Sequence, residues 1–243
     1  MSRMFKTRCL VLRRRPLGEN DEIVSFLSPR LGFFEAAVSG SRRLSSPLIG
    51  KIEPFTELDC LFAEGRSLPH LTQGALVNAH SGLLTDYAKV CGAAYLCSLA
   101  SRISCEGSSS GALYSLITEA LAIIENSRNI QGVLFWCEMR ALVISGSYPE
   151  LEVCVSCRSK EISAYSPAAG GCLCSRCAAL ERDAASISPR ELAALRWLRR
   201  VQITAASSLK ADRELSSGVS VFLRSHLQYY WPGSSRSEKL LAM

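Results

Sequence analysis

The sequence of 243 residues predicts an α+β protein in which a small β-barrel precedes a helical domain with an inserted cysteine-rich subdomain. Three observations support this prediction. Five short strand-like segments, separated by turn residues, occupy roughly the first 75 residues. A pattern rich in Ala and Leu, typical of helices, begins near Ala75. Two Cys-x-x-Cys pairs then lie between Cys154 and Cys177.

The first segments have the period of half-buried strands. Between residues 54 and 62, Thr56, Leu58, Cys60 and Phe62 face one side of a strand, and Glu57 and Asp59 face the other. The predicted strands are residues 7–14, 21–27, 32–39, 54–62 and 67–73. Five strands in so short a chain fit a small barrel better than a sandwich, and an OB-like barrel is the commonest solution.

Helices are predicted in the rest of the chain, at residues 75–104, 113–126, 130–145, 189–201 and 214–230. Ser188, Pro189 and Glu191 form a helix start signal, with an N-cap, a proline at the first helical position and a capping box. We expect an OB-fold nucleic-acid-binding domain at residues 1–75, helical regions at 76–150 and 183–243, and a four-cysteine zinc-binding subdomain at 151–182.

Four cysteines carry the strongest chemical signal. Cys154 and Cys157 form one knuckle, and Cys174 and Cys177 form a second after sixteen intervening residues. Each knuckle brings two thiolates to one point, and two knuckles complete the tetrahedral site that structural Zn²⁺ prefers. Four thiolates leave no position for water, so we expect a structural zinc ion rather than a catalytic one.

Other interpretations of these cysteines stay open at this point. Four thiolates can also hold an iron–sulfur cluster, although paired knuckles favour zinc. Unligated buried cysteines and a redox dithiol are the remaining alternatives. Cys172 lies next to the second knuckle, but only Cys174 has the two-residue spacing to Cys177, so Cys172 is interpreted as a bystander.

The net charge of +6 is concentrated at the start of the chain. Residues 1–51 contain ten Lys/Arg and four Asp/Glu, whereas residues 52–243 contain eighteen of each. Such a segment suits a polyanion, because phosphate contacts release counterions, although a solvated basic face is the plainer explanation. The candidate DNA-binding residues are Arg13, Arg14, Arg15, Arg42, Arg43 and Lys51, and Phe33 or Phe34 is a candidate for base stacking or for the barrel core.

The sequence lacks the motifs of several functional classes. No phosphate-binding P-loop and no nucleophile elbow occurs, and none of the three histidines stands near the cysteines. No apolar run of about 18 residues predicts a membrane span, and no secretion signal is apparent. We therefore expect a non-enzymatic cytoplasmic protein without a membrane partner.

Several short motifs follow one another in a distinctive order along the chain. They are Val11-Leu12-Arg13, Gly18-Glu19-Asn20-Asp21, Ser28-Pro29-Arg30-Leu31-Gly32, Ser39-Gly40-Ser41-Arg42-Arg43, Gly146-Ser147-Tyr148-Pro149-Glu150-Leu151, the two cysteine knuckles and Ser235-Arg236-Ser237. In this order they resemble the RecO family of recombination mediators over nearly the whole chain. The chain departs from the family at Arg158, where Gly is frequent, and at Ser39 and Ser41, where Lys and Ala are favoured.

The resemblance implies a mediator of DNA repair and homologous recombination. Such proteins bind single- and double-stranded DNA, anneal complementary strands, and associate with RecR and with the tail of the single-strand-binding protein. They assist RecA loading on coated DNA without hydrolysing a nucleotide, in the bacterial cytoplasm at the nucleoid. Two alternatives remain: a zinc-ribbon nucleic-acid-binding regulator without annealing activity, and an enzyme with unfamiliar motifs.

Overall fold

The computed structural model describes residues 3–43, 46–48, 50–104 and 110–233. These residues form two compact units. The first runs to Asn126 and contains the barrel and two helices, and the second begins at Ser127 and contains the cysteine-rich segment and the remaining helices. The Ser235–Ser237 motif lies outside the described residues.

Five strands form the N-terminal barrel: β1 (Met4–Leu17), β2 (Asp21–Ser28), β3 (Gly32–Val38), β4 (Glu57–Ala63) and β5 (His70–Asn78). Their order around the barrel is β1-β2-β3-β5-β4, and β4 pairs with β1 to complete the circuit. All neighbours are antiparallel except β3 and β5, which meet at one parallel pair, Ala37 and His70. The predicted OB-like barrel is thus confirmed, with a short seam between β3 and β5.

Aromatic rings fill the barrel interior. The ring of Phe62 lies 5.4 Å from that of Phe26 and 5.2 Å from that of Phe34, measured between centroids. Leu58, Cys60 and Phe62 are buried, as the alternation in this segment predicts. Phe34 therefore contributes to the core instead of offering a free face for base stacking.

The predicted helix at residues 75–104 starts too early. Strand β5 continues to Asn78 because β4 supplies its ladder partners, with Leu76 opposite Leu58 and Asn78 opposite Glu57. Tertiary pairing overrides the helical preference of this Ala- and Leu-rich segment. A 3₁₀ turn at Ser81–Thr85 follows, and the two helices of this unit are α1 (Tyr87–Ser104) and α2 (Ser110–Asn126).

A buried histidine joins the barrel to helix α2. His80 is 2% exposed, and its ring nitrogens lie 3.1 Å from Glu57 on β4 and 3.0 Å from Glu125 on α2. Tyr114 donates a hydrogen bond to Glu57 at 2.6 Å. Burial alone would lower the pKa of His80, but the bonds to Glu57 and Glu125 raise the pKa above its usual value. Glu57 faces away from the barrel core, and helix α2 supplies the partner that this polar strand residue needs.

The second unit contains a small sheet and five helices among its described residues: α3 (Ile130–Ile144), β6 (Ala164–Ser166), β7 (Gly171–Leu173), α4 (Ser175–Ala178), β8 (Ala185–Ser186), α5 (Pro189–Arg200), α6 (Ile203–Ala206) and α7 (Arg213–Tyr230). The predicted capping box of Ser188 and Glu191 is confirmed at the start of α5. Tyr165 on β6 packs on Phe222 of α7, with ring centroids 4.6 Å apart. None of the helices in the described part of the chain is long and apolar enough to cross a bilayer.

The His80 contacts predict an unusual pH dependence of stability. Because the folded-state pKa is raised, the stabilisation by charged His80 is complete below about pH 6.5 and is lost as the pH rises through the folded-state pKa. His80→Ala removes one hydrogen-bond partner from each of two carboxylates, and we expect it to lower the free energy of unfolding by about 3 kcal/mol at pH 6. Denaturant unfolding should show a smaller loss at pH 9.

The matched control is His70→Ala, which removes an exposed histidine of the same barrel. Its effect should be small at both pH values. An equal loss for His80→Ala at pH 6 and pH 9 would contradict a charged histidine.

Candidate nucleic-acid interface and metal centre

The three consecutive arginines lie at the end of β1, just after a β-bulge. The ladder with β2 pairs Val11 with Phe26 and then Arg13 with Ser25, so Leu12 is the extra residue. A bulge of this kind reverses the alternation of the residues that follow it. Arg13 and Arg15 are consequently exposed, whereas Arg14 is half-buried.

Two of these arginines are held by carboxylates of the same barrel. Arg14 donates to Glu22 at 3.0 Å and also contacts Glu53. Arg15 donates to Glu35 at 2.9 Å, and this hydrogen bond lowers the pKa of the Glu35 carboxyl. Their guanidinium groups are thus already engaged within the protein.

The other predicted DNA-binding residues are not engaged in this way. Within the described ranges, no carboxylate lies at ion-pair distance from the charged groups of Arg13, Arg42, Arg43 or Lys51. Arg13, Arg42 and Arg43 are exposed, and Lys51 is half-buried. These side chains retain their charge for an external anion, and an arginine guanidinium can donate two parallel hydrogen bonds to a phosphate.

The β3–β4 loop, residues 39–56, is bonded to the start of β2. The Gly40 N–H donates to Asp21 Oδ1 at 2.8 Å, and the Ser41 hydroxyl donates to Glu22 Oε2 at 2.9 Å. The Arg42 N–H donates to the carbonyl of Asn20 at 3.1 Å. The structure therefore joins the loop that carries Arg42 and Arg43 to the turn that follows Arg13–Arg15, although the two groups are far apart in sequence.

The four knuckle cysteines converge in the second unit. The Sγ atoms of Cys154, Cys157, Cys174 and Cys177 all lie within 4.8 Å of one another, and those of Cys157 and Cys174 are 3.6 Å apart. Four sulfurs held at Zn–S distances of about 2.3 Å would be about 3.8 Å apart in a tetrahedron. The donor set and its spacing are therefore compatible with zinc.

Both knuckles are built as similar backbone turns. The Arg158 N–H donates to the carbonyl of Cys154, and the Ala178 N–H donates to that of Cys174, each at 2.9 Å. Burial opposes ionisation of the Cys154 thiol, but backbone N–H groups of Cys174 and Cys157 lower its pKa to about 6. Hydrogen bonds with Cys174 and Cys157 raise the pKa of the Cys177 thiol to about 12, so a metal ion, which binds the thiolate, would have to displace a proton there.

Cys172 and Arg158 lie next to the knuckles, and the structure accounts for both. Cys172 is buried outside the four-sulfur group, and burial raises the pKa of its thiol to about 12. Arg158 has a φ of 63°, the left-handed conformation that glycine adopts most easily. This conformation explains why Gly is frequent at this position in the family that the motifs resemble.

Comparison with known proteins agrees with this architecture. The family model described as Recombination protein O N terminal matches residues 1–80, and the model described as Recombination protein O C terminal matches residues 84–239. The chain belongs to the RecO family. The resemblance inferred from the short motifs is thereby confirmed.

Individual relatives match over most of their length. A protein named DNA repair protein RecO from Dehalococcoides mccartyi is 27% identical over 228 residues, which cover 93% of this chain and 90% of the relative. One from Roseiflexus sp. is 28% identical over 97% of this chain and 84% of the relative. One from Bifidobacterium animalis subsp. lactis is 31% identical over 70% of this chain and 73% of the relative.

Proposed function

We propose that this protein is a non-enzymatic mediator of DNA repair and homologous recombination that binds DNA at the basic end of its barrel. The observation that carries the proposal is a set of exposed cations in a RecO-family barrel, Arg13, Arg42 and Arg43, which have no carboxylate at ion-pair distance among the residues that the structure describes. Arg14, Arg15 and Lys51 complete the proposed DNA-binding surface. The names of the relatives, DNA repair proteins, support the same role.

The same surface suits strand annealing. Two complementary strands repel each other through their phosphates, and a cationic protein that binds both reduces this repulsion. Barrels of this class bind single strands along one face and its flanking loops. Annealing of this kind needs no nucleotide hydrolysis, so the proposed activity requires no catalytic residue.

The proposed partners follow from membership in the family. They are single- and double-stranded DNA, RecR, the tail of the single-strand-binding protein and, indirectly, RecA during its loading on coated single strands. The proposed location is the bacterial cytoplasm at the nucleoid, where this DNA is found. A zinc-ribbon regulator that binds nucleic acid without annealing it is the alternative outcome of the test below.

Annealing of two complementary oligonucleotides tests this function. We expect wild-type protein to accelerate annealing without ATP and to lose this effect as salt rises. Substitution of Arg13, Arg42 and Arg43 by Ala should abolish the acceleration and reduce the slope of log affinity against log salt by about 2, since each single-strand phosphate contact contributes about 0.7.

The control variant replaces Arg128, Lys160 and Arg182 by Ala. It removes the same charge from exposed positions in the second unit, and we expect annealing to stay near the wild-type rate. If wild-type protein binds DNA with a base-sequence preference but does not anneal strands, the regulator is favoured. If the control variant loses as much activity as the barrel variant, net charge and not the barrel surface determines binding.

We also propose that the four-cysteine group holds a structural Zn²⁺. Cys154, Cys157, Cys174 and Cys177 would be its ligands, and their thiolates fill a tetrahedral coordination shell. A bound ion would fix the two knuckles and the β6–β7 hairpin together. Metal binding of this kind contributes directly to folding free energy.

The zinc proposal predicts different behaviour for two neighbouring cysteines. Cys174→Ser should lose about one zinc ion per chain and lower the apparent Tm by about 10 °C, because the ion contributes several kcal/mol. Cys172→Ser, which leaves all four proposed ligands intact, should retain the metal. Metal analysis and thermal unfolding measure both effects. Equal metal content in the two variants, or an iron–sulfur absorption spectrum, would contradict the assignment.

A further inference from the structure

A short network of hydrogen bonds fastens the basic loop to the strand beside it. Asn20, which directly precedes β2, and the first two residues of β2 bond three consecutive residues of the β3–β4 loop, and we call these contacts the loop anchor. The pairs are Asn20 with Arg42, Asp21 with Gly40 and Glu22 with Ser41. The last residues of the anchor directly precede Arg43, so the anchor holds the segment that displays both loop arginines.

Glu22 is the centre of this network. It is 4% exposed, and it accepts hydrogen bonds from the Ser41 hydroxyl at 2.9 Å and from Arg14 at 3.0 Å. Arg14 in turn contacts Glu53 near the end of the same loop. A buried carboxylate costs free energy unless it is paired and hydrogen-bonded, and here both of its oxygens have partners.

The loop turn depends on this anchoring. Gly40 has a φ of 64°, and the Arg43 N–H donates to the Gly40 carbonyl at 3.1 Å, so residues 40–43 form a tight turn. Asp21 binds the first N–H group of the turn and Glu22 binds the next side chain. Arg42 and Arg43 are exposed at the end of this turn. The backbone that carries them is therefore held by contacts with Asn20, Asp21 and Glu22.

We infer that Glu22 is a positioning residue for DNA binding, which holds Arg42 and Arg43 in the orientation that phosphate groups require. The inference rests on the proposed function. It divides the basic residues into two groups, because Arg14 bonds Glu22 and Glu53 and supports the loop, whereas Arg13, Arg42 and Arg43 contact phosphate. A negative side chain thereby increases the affinity for a polyanion.

This inference predicts a change in DNA affinity that is opposite in sign to the change expected from charge alone. Removal of a negative charge beside a DNA-binding surface would by charge alone strengthen binding. We expect Glu22→Ala to weaken binding of a single-stranded oligonucleotide about tenfold, since one or two charged hydrogen bonds to phosphate are weakened. The slope of log affinity against log salt should also fall by about 1, because fewer phosphates are contacted.

The matched control is Glu19→Ala, which removes the same charge from an exposed residue of the neighbouring turn. Its affinity should equal or exceed that of the wild type. Ser41→Ala provides a second test that alters no charge and removes the hydroxyl that bonds Glu22, and it should weaken binding and lower the salt slope in the same direction. Partial unfolding of a variant would reduce the active fraction but leave the salt slope unchanged.

A double-mutant cycle separates positioning from general destabilisation. In a variant that lacks Arg42 and Arg43, Glu22→Ala should have no further effect on affinity, because the groups that it positions are absent. If Glu22→Ala and Ser41→Ala bind DNA as tightly as the wild type, or if the effect of Glu22→Ala persists without Arg42 and Arg43, the inference is wrong. If wild-type protein itself does not bind DNA, the proposed function fails instead.

Discussion

The buried carboxylate of Glu22 determines how the basic end of the barrel is arranged. Leu48 and Ile52 pack the later part of the β3–β4 loop into the barrel core, whereas residues 39–43, which include Arg42 and Arg43, contain no large apolar side chain. Bonds from Glu22 to Arg14 and Ser41 help to fix this first part of the loop. The exposed arginines can then point outward from a defined turn, with less conformational entropy to lose when they meet a phosphate.

The two units bring polar residues together in different ways. In the first unit, His80 joins Glu57 of the barrel to Glu125 of helix α2, and in the second unit two turns place four cysteine sulfurs within 4.8 Å of one another. Each arrangement brings together residues that are distant in sequence. Both would be sensitive to protonation in opposite directions, because His80 loses its charge as the pH rises, whereas the proposed zinc ligands would release metal as the pH falls.

Local patterns in the sequence predict much of this protein because they encode local structure. The alternation of the strands, the capping box at Ser188 and the spacing of the cysteines are patterns over a few residues, and they can be recognised without knowledge of the tertiary structure. The bulge at Leu12, the extension of β5 to Asn78 and the partners of Arg14 were not predicted, because they depend on strand register. The acidic run Asp21-Glu22 beside the arginines is the signal that could have suggested the loop anchor, yet sequence alone does not reveal which carboxylate faces which cation.

The most direct test of the account is to locate bound DNA on the chain. A single-stranded oligonucleotide with photoreactive bases can be cross-linked to the wild-type protein, and the modified peptides identified by mass spectrometry. The account predicts that cross-links fall within residues 13–22 and 40–53, the two segments joined by the loop anchor. Cross-links confined to residues 127–233 would contradict it, because DNA would then bind the helical unit and the basic end of the barrel would have another role.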